Sequence, residues 1–146
     1  MVLGLDGSAH SRRAAAFLTR LAPGRAGRVL CVQVVEPTRV PSAPLLAPSM
    51  RGRLAREAAA LHGARVEIAR RQIRVAAARL ARAGWRARGD VRIGLPVAEL
   101  LAAARSIRAD LVVLGARGAG AITRLLLGSV AESVLRQSPV PVLIVK

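Results

Sequence analysis

The chain has one cysteine, no tyrosine, one tryptophan, one phenylalanine and a single lysine, its last residue, in 146 positions. One thiol excludes a disulfide framework. Cys31 lies inside the apolar run Val29 to Val35, which makes it a small buried hydrophobe rather than a nucleophile. With Phe17 and Trp85 as the whole aromatic set, no platform for stacking successive bases can be assembled. The two histidines, His10 and His62, are distant in sequence, and His62 falls on an apolar helical stripe where a structural role is expected. No stretch approaches the roughly 18 uninterrupted apolar residues of a membrane helix. The N-terminus also lacks the basic-then-apolar layout of a signal peptide, so a cytoplasmic location and no membrane association are expected.

What is present is a hydrophobic content of 53%, enough for one globular domain spanning residues 1–146. Charge is lopsided: 24 basic against 8 acidic residues give a formal +16, and all basic residues except Lys146 are arginine. Twelve of the arginines fall between Arg51 and Arg92. Without aromatic stacking or a base-reading motif, this surface predicts at most weak, sequence-independent polyanion binding that collapses as salt rises.

Hydrophobic patterning alternates between two periods. Val2 to Asp6 reads as a strand, followed by a helix capped at Ser8 or Ser11 with Ala14, Phe17, Leu18 and Leu21 on its apolar face, ending near Pro23-Gly24. Arg28 to Val35 is a second apolar strand. The segment from Glu36 to about Ser49 holds four prolines and is expected to be a loop. A long helix is predicted over Leu54 to Ala83, with Val66, Ala69, Ile73, Ala76, Leu80 and Ala83 on one stripe. Trp85 to Arg92 alternates apolar and charged residues, as an edge strand with one wet face does. Pro96 opens a third helix with Val97, Leu100, Leu101, Ala104 and Ile107 inward, Leu111 to Leu114 forms a buried strand, a fourth helix runs from Ser129 to about Gln137, and Val142 to Val145 is a final strand. Strands alternating with helices imply right-handed βαβ units and a parallel sheet covered on both faces.

The segment Leu114 to Val130 places Gly115, Gly118 and the pair Gly128-Ser129 in a G-x2-G-x9-G-S frame between a buried strand and a helix. Glycines let backbone approach a phosphate closely, and a helix N-terminus presents N–H groups and a positive dipole end. The frame resembles the ATP-binding signature of the universal stress protein family. The similarity extends over nearly the whole chain, through the opening Val2-Leu3-Gly4-Leu5-Asp6-Gly7-Ser8, the middle Gly94-Leu95-Pro96 and the closing Pro139 to Val145. It implies a single-domain Rossmann-like open sheet of five parallel strands in the order 3-2-1-4-5. That order would bring the turns after strands one and four to one crevice, where open α/β sheets bind ligands.

Carried over position by position, the resemblance implies that Leu5, Asp6 and Val34 line the adenine side of an ATP, ADP or AMP site. Asp6 is also the candidate for a magnesium ion on the phosphates. Gly115 would approach the ribose. Gly118, Gly128, Ser129 and the Val130 N–H would hold phosphates, with Arg117 and Arg124 supplying charge. Ala116 departs from the pattern, where many members carry a hydroxyl. The family also implies a homodimer through Val142 to Val145, and Asp6-Gly7, Gly128 and Ser129 each have a plain structural alternative as turn or cap.

Catalytic machinery is another matter. The chain contains no Walker-type Gly-Lys-Ser/Thr, no paired carboxylates beside the glycine loop, and no Ser/His/Asp set in a motif context. A stress-response binding module with at most slow ATP turnover is therefore expected, its output a change of state or partner on binding nucleotide. Two other readings stand beside it: a nucleotide-independent interaction protein using its arginine-rich face, and an enzyme of the broader adenine-nucleotide α-hydrolase-like group.

Overall fold

The computed structural model describes residues 1–23, 27–38, 47–118 and 127–146. Along the chain lie β1 (Val2–Leu5), α1 (Ala9–Arg20), β2 (Arg28–Val35), α2 (Pro48–Arg82), β3 (Arg86–Ile93), α3 (Pro96–Ser106), β4 (Val112–Gly115), α4 (Ser129–Gln137) and β5 (Val142–Val145). The five strands pair in parallel in the order β3-β2-β1-β4-β5.

Side-chain alternation on the central strands builds two cores. Leu3, Cys31 and Val113 point to one face, where Ala14, Leu18, Ile73 and Leu80 of α1 and α2 cover them together with Trp85. Val2, Val32, Val112 and Leu114 point to the other, under Leu100, Leu101, Ala104, Ala131 and Val134 of α3 and α4. Near-continuous apolar strands are what a sheet covered on both faces requires.

The structure shifts several boundaries for identifiable reasons. Helix α2 begins at Pro48, well ahead of Leu54. Proline is tolerated at a helix start because its missing N–H has no partner there anyway, so the last of the four prolines opens a helix instead of forbidding one. Helix α1 stops at Arg20, and its C-cap residue Leu21 is exposed, as is Ile107 just past α3. Trp85 precedes β3 and is buried, with its indole N–H donating to the Leu18 carbonyl at 3.0 Å. The charged face of β3 is not simply wet: Arg92 reaches back to Asp90 at 2.8 Å and across to Glu99 of α3 at 3.4 Å. Ala103, outside the expected stripe of α3, is fully buried.

Burial pushes the Cys31 thiol from its ordinary 9.0 up to about 12. The folded state thus keeps it protonated where the unfolded chain would ionise it, so its contribution to stability is intact below about pH 9 and is lost as pH rises towards 12. No tyrosine and a single lysine titrate over that window. Thiol reagents at pH 8 should therefore label Cys31 only on unfolding. The urea midpoint should fall between pH 9 and 12 in the wild type and fall less in Cys31→Ala.

Candidate functional site

Strands β1 and β4 lie side by side at the centre of the sheet, with Val2 opposite Val112 and Leu3 opposite Val113. Beyond their carboxyl ends the chain turns to opposite faces, into α1 on one side and towards α4 on the other. A cavity of about 560 Å³ occupies the gap. Its wall includes Leu5, Asp6, Val34, Gly115, Arg117, Gly118, Gly128, Ser129 and Val130, every position implied by the resemblance that lies among the described residues. Arg124 falls outside the described residues, as do residues 39–46 of the proline-rich segment.

The turn after β1 is locked by side chains. Gly7 has φ +77°, a left-handed conformation that suits glycine. The Asp6 carboxylate accepts the Ser8 N–H at 2.9 Å, an Asx turn, and Arg12 donates to the Gly7 carbonyl. Ser8 is the N-cap of α1: its hydroxyl accepts the Ser11 N–H at 3.1 Å. The same hydroxyl donates to the Arg117 carbonyl at 3.2 Å, tying the turn after β1 to the glycine loop after β4. Ser11 is buried, and its own hydroxyl donates to the Ser8 carbonyl at 3.1 Å.

The glycines of the loop serve distinct ends. A Cβ on Gly118 would stand 2.9 Å from the Asp6 carboxylate, so the carboxylate lies directly against Gly118 on the cavity wall. Gly128 donates its N–H to the Ala116 carbonyl at 2.9 Å, and a Cβ there would press on Arg117 at 3.2 Å, so the returning chain closes against residues 116–118. Gly115 has a structural reason of its own: a Cβ would meet the backbone of His10 at 2.5 Å, where α1 packs against β4. Ala116 is buried and held by its N–H to Val145 at 2.8 Å.

Helix α4 starts at Ser129 with Gly128 as N-cap and no side-chain cap. Ser129 is thus the first helical residue, not the cap. With Glu132 the first to close an α-helical bond, onto Gly128, the N–H groups of Ser129, Val130 and Ala131 have no backbone partner among the described residues and lie at a cavity-lining helix end. That end has the geometry and the dipole sign to receive an anion.

A second wall was not evident from the sequence. Arg65, Ile68 and Gln72 of α2 line the cavity opposite the glycine loop. Arg65 donates to the Glu36 carbonyl at 3.3 Å, and Gln72 accepts from the buried Gln33 amide at 2.8 Å. The Gln33 carbonyl oxygen has no partner among the described residues. Spacing at i, i+3 and i+7 marks one flank of a helix, but the apolar stripe facing the sheet masked it. His62 sits elsewhere, in a small cavity of about 260 Å³ with Pro37 and Thr38. Among the described residues no cluster of three or more His, Cys, Asp or Glu side chains is present.

Comparison with known proteins bears on this arrangement. The sequence matches the family model described as Usp, universal stress protein family, over residues 1–146. The chain belongs to the universal stress protein family. A universal stress protein of Thermus aquaticus, encoded in the QAH/OAS sulfhydrylase 3′ region, is 34% identical over all of this chain and 97% of its own length. Among solved structures, the protein MJ0577 superposes with a TM-score of 0.83 at 21% identity, covering 99% of this chain and 93% of that one, and shares its fold. A universal stress protein solved in complex with cAMP aligns with a TM-score of 0.63 at 27% identity, covering 99% and 93%. Within this universal stress protein, the double role of Ser8 is open to direct test. Ser8→Ala removes both the α1 cap and the tie to Arg117 and should cost about 1–2 kcal/mol in urea denaturation. Ser8→Gly, which caps nearly as well, should lose only the part owed to the tie.

Proposed function

We propose that the cavity binds an adenine nucleotide, with ATP as the principal ligand, and that the protein is a stress-response module whose state or partner changes with occupancy. One observation carries this reading: the uncapped N-terminus of α4 and the glycine loop meet Asp6 around a single cavity at the switch point of the sheet. A relative solved in complex with cAMP supports the ligand class. In this reading Leu5, Asp6 and Val34 line the base, the Gly115 backbone borders the ribose, and Gly118, Gly128, Ser129 and Val130 hold phosphates, with Arg117 adding charge.

The fit has an electrostatic side. The Asp6 carboxylate lies against Gly118, beside the space proposed for a phosphate, where a cation held by both groups would offset their repulsion. Magnesium, held by Asp6 together with phosphate oxygens, suits that position, since it binds through one or two carboxylates plus substrate phosphates. Magnesium would supply charge neutralisation.

Calorimetric titration should show ATP binding to the wild type, stronger with magnesium. Gly118→Asp sets a second carboxylate against Asp6 in the phosphate space, and Ser129→Ala removes a hydroxyl donor. Losing a hydrogen bond to a charged group costs about 1.5–3 kcal/mol, roughly ten- to a hundred-fold in affinity, and the aspartate should do worse. No heat at millimolar ATP, or equal binding by a folded Gly118→Asp, would overturn the nucleotide reading in favour of a nucleotide-independent interaction protein.

The same proposal includes a homodimer through β5. This strand is the outer member of the sheet beside β4, and its four apolar residues are all half-buried. Such an edge tends to pair with another chain. Sedimentation at micromolar concentration should give twice the mass of the chain, and a monomer would refute the pairing.

A further inference from the structure

Helix α2 is longer than the sheet it covers. Its 35 residues extend about 52 Å at 1.5 Å per residue, whereas the eight residues of β3 span about 26 Å. Its side chains in the core, Ala69, Ile73, Ala77 and Leu80, come from the second half. On a different face lie five large apolar residues that the sheet does not cover. Met50 is 43% exposed, Leu54 39%, Leu61 63%, Ile68 55% and Val75 49%. The last four recur every seven residues. At 100° per residue all five fall within an arc of about 60°, roughly a third of a turn from the stripe facing the sheet. A seven-residue repeat of this kind supplies one of the two core positions of the seam by which one helix packs along another. Ala64 and Ala78, both exposed beside the seam, leave room for close approach.

The helix carries nine arginines against two glutamates. Arg53 and Arg71 border the stripe on one side, Arg51 and Arg65 on the other, and Arg79 stands in line with its C-terminal end, where flanking charges select a partner. A second copy of α2 would oppose arginine to arginine along its whole length. An anionic bilayer wants a broad apolar face with aromatic or leucine-rich content, and this arc is narrow and has no aromatic residue. Nucleic acid has no use for the apolar repeat.

We propose that the outer face of α2 is a docking surface for an acidic amphipathic helix of another protein, with Leu54, Leu61, Ile68 and Val75 as the apolar seam and the bordering arginines pairing with carboxylates. The proposal does not rest on nucleotide binding, but the stripe shares its flank with the cavity wall: Arg65, Ile68 and Gln72 fall on or beside the same arc, so a docked helix would lie next to the cavity.

The probe is a synthetic four-heptad peptide with leucine at a and d and glutamate at e and g, kept from pairing with itself at neutral pH by its own charge. Fluorescence titration should show saturable one-to-one binding to the full chain. The double variant Leu61→Arg/Val75→Arg leaves Ile68 untouched and keeps good helix formers on an exposed face. It should weaken binding about tenfold or more despite its added positive charge, and Leu61→Ala/Val75→Ala should do the same if the arginine variant fails to fold by circular dichroism. Equal or tighter binding by a folded variant would reduce the effect to bulk electrostatics and overturn the proposal. So would absence of peptide binding accompanied by capture of phosphatidylglycerol vesicles, or by self-association that the double variant abolishes.

Discussion

Two neighbouring parallel strands whose chains depart to opposite faces leave a gap beyond their carboxyl ends that the sheet itself cannot fill. In this protein the strands are β1 and β4, and everything at the cavity depends on their pairing. It sets Asp6 against Gly118, brings the Ser8 hydroxyl to the Arg117 carbonyl, and aims the first turn of α4 at the same space. None of these contacts is local in sequence. The cavity therefore exists only in the folded sheet, while the turn chemistry on each side is prepared by short motifs.

Around the cavity the chemistry is divided between charge and shape. The α4 helix end and Arg117 bring positive charge to the cavity wall, and the Asp6 carboxylate lies against Gly118 on the same wall. Apolar Leu5, Val34, Ile68 and Leu100 line the remaining wall, suiting a flat heterocycle.

The arginine excess gains meaning from its placement. It is concentrated on α2 and β3, at the β3 side of the sheet, while the glycine loop belongs to the β4 side. Helix α2 joins the two regions: its inner stripe packs on the sheet, and a second flank both walls the cavity and carries the exposed apolar stripe. A helix with two faces in use needs the small residues that α2 has in abundance, since alanine favours helix without committing a face to any one neighbour.

The order of elements and the parallel sheet were legible in the sequence because hydrophobic period and strand ends are local signals, whereas the nine cavity-lining positions came from the family resemblance laid over the glycine frame. Strand ends, once the order 3-2-1-4-5 is granted, already imply that residues 6 and 115 are close. Other features were decided by tertiary structure alone. Pro48 opens α2 because a helix start has no use for the N–H that proline lacks, and Gly115 is required by the backbone of α1, which lies over a hundred positions away along the chain. Arg65, Ile68 and Gln72 became cavity residues through the rotation at which α2 settles on β2 and β3, fixed by Ile73 against Gly89 and by Leu80 in the core. Periodicity shows which side of a helix is apolar. Only packing decides what its other sides face, because that angle is set by the fit of side chains on both elements at once.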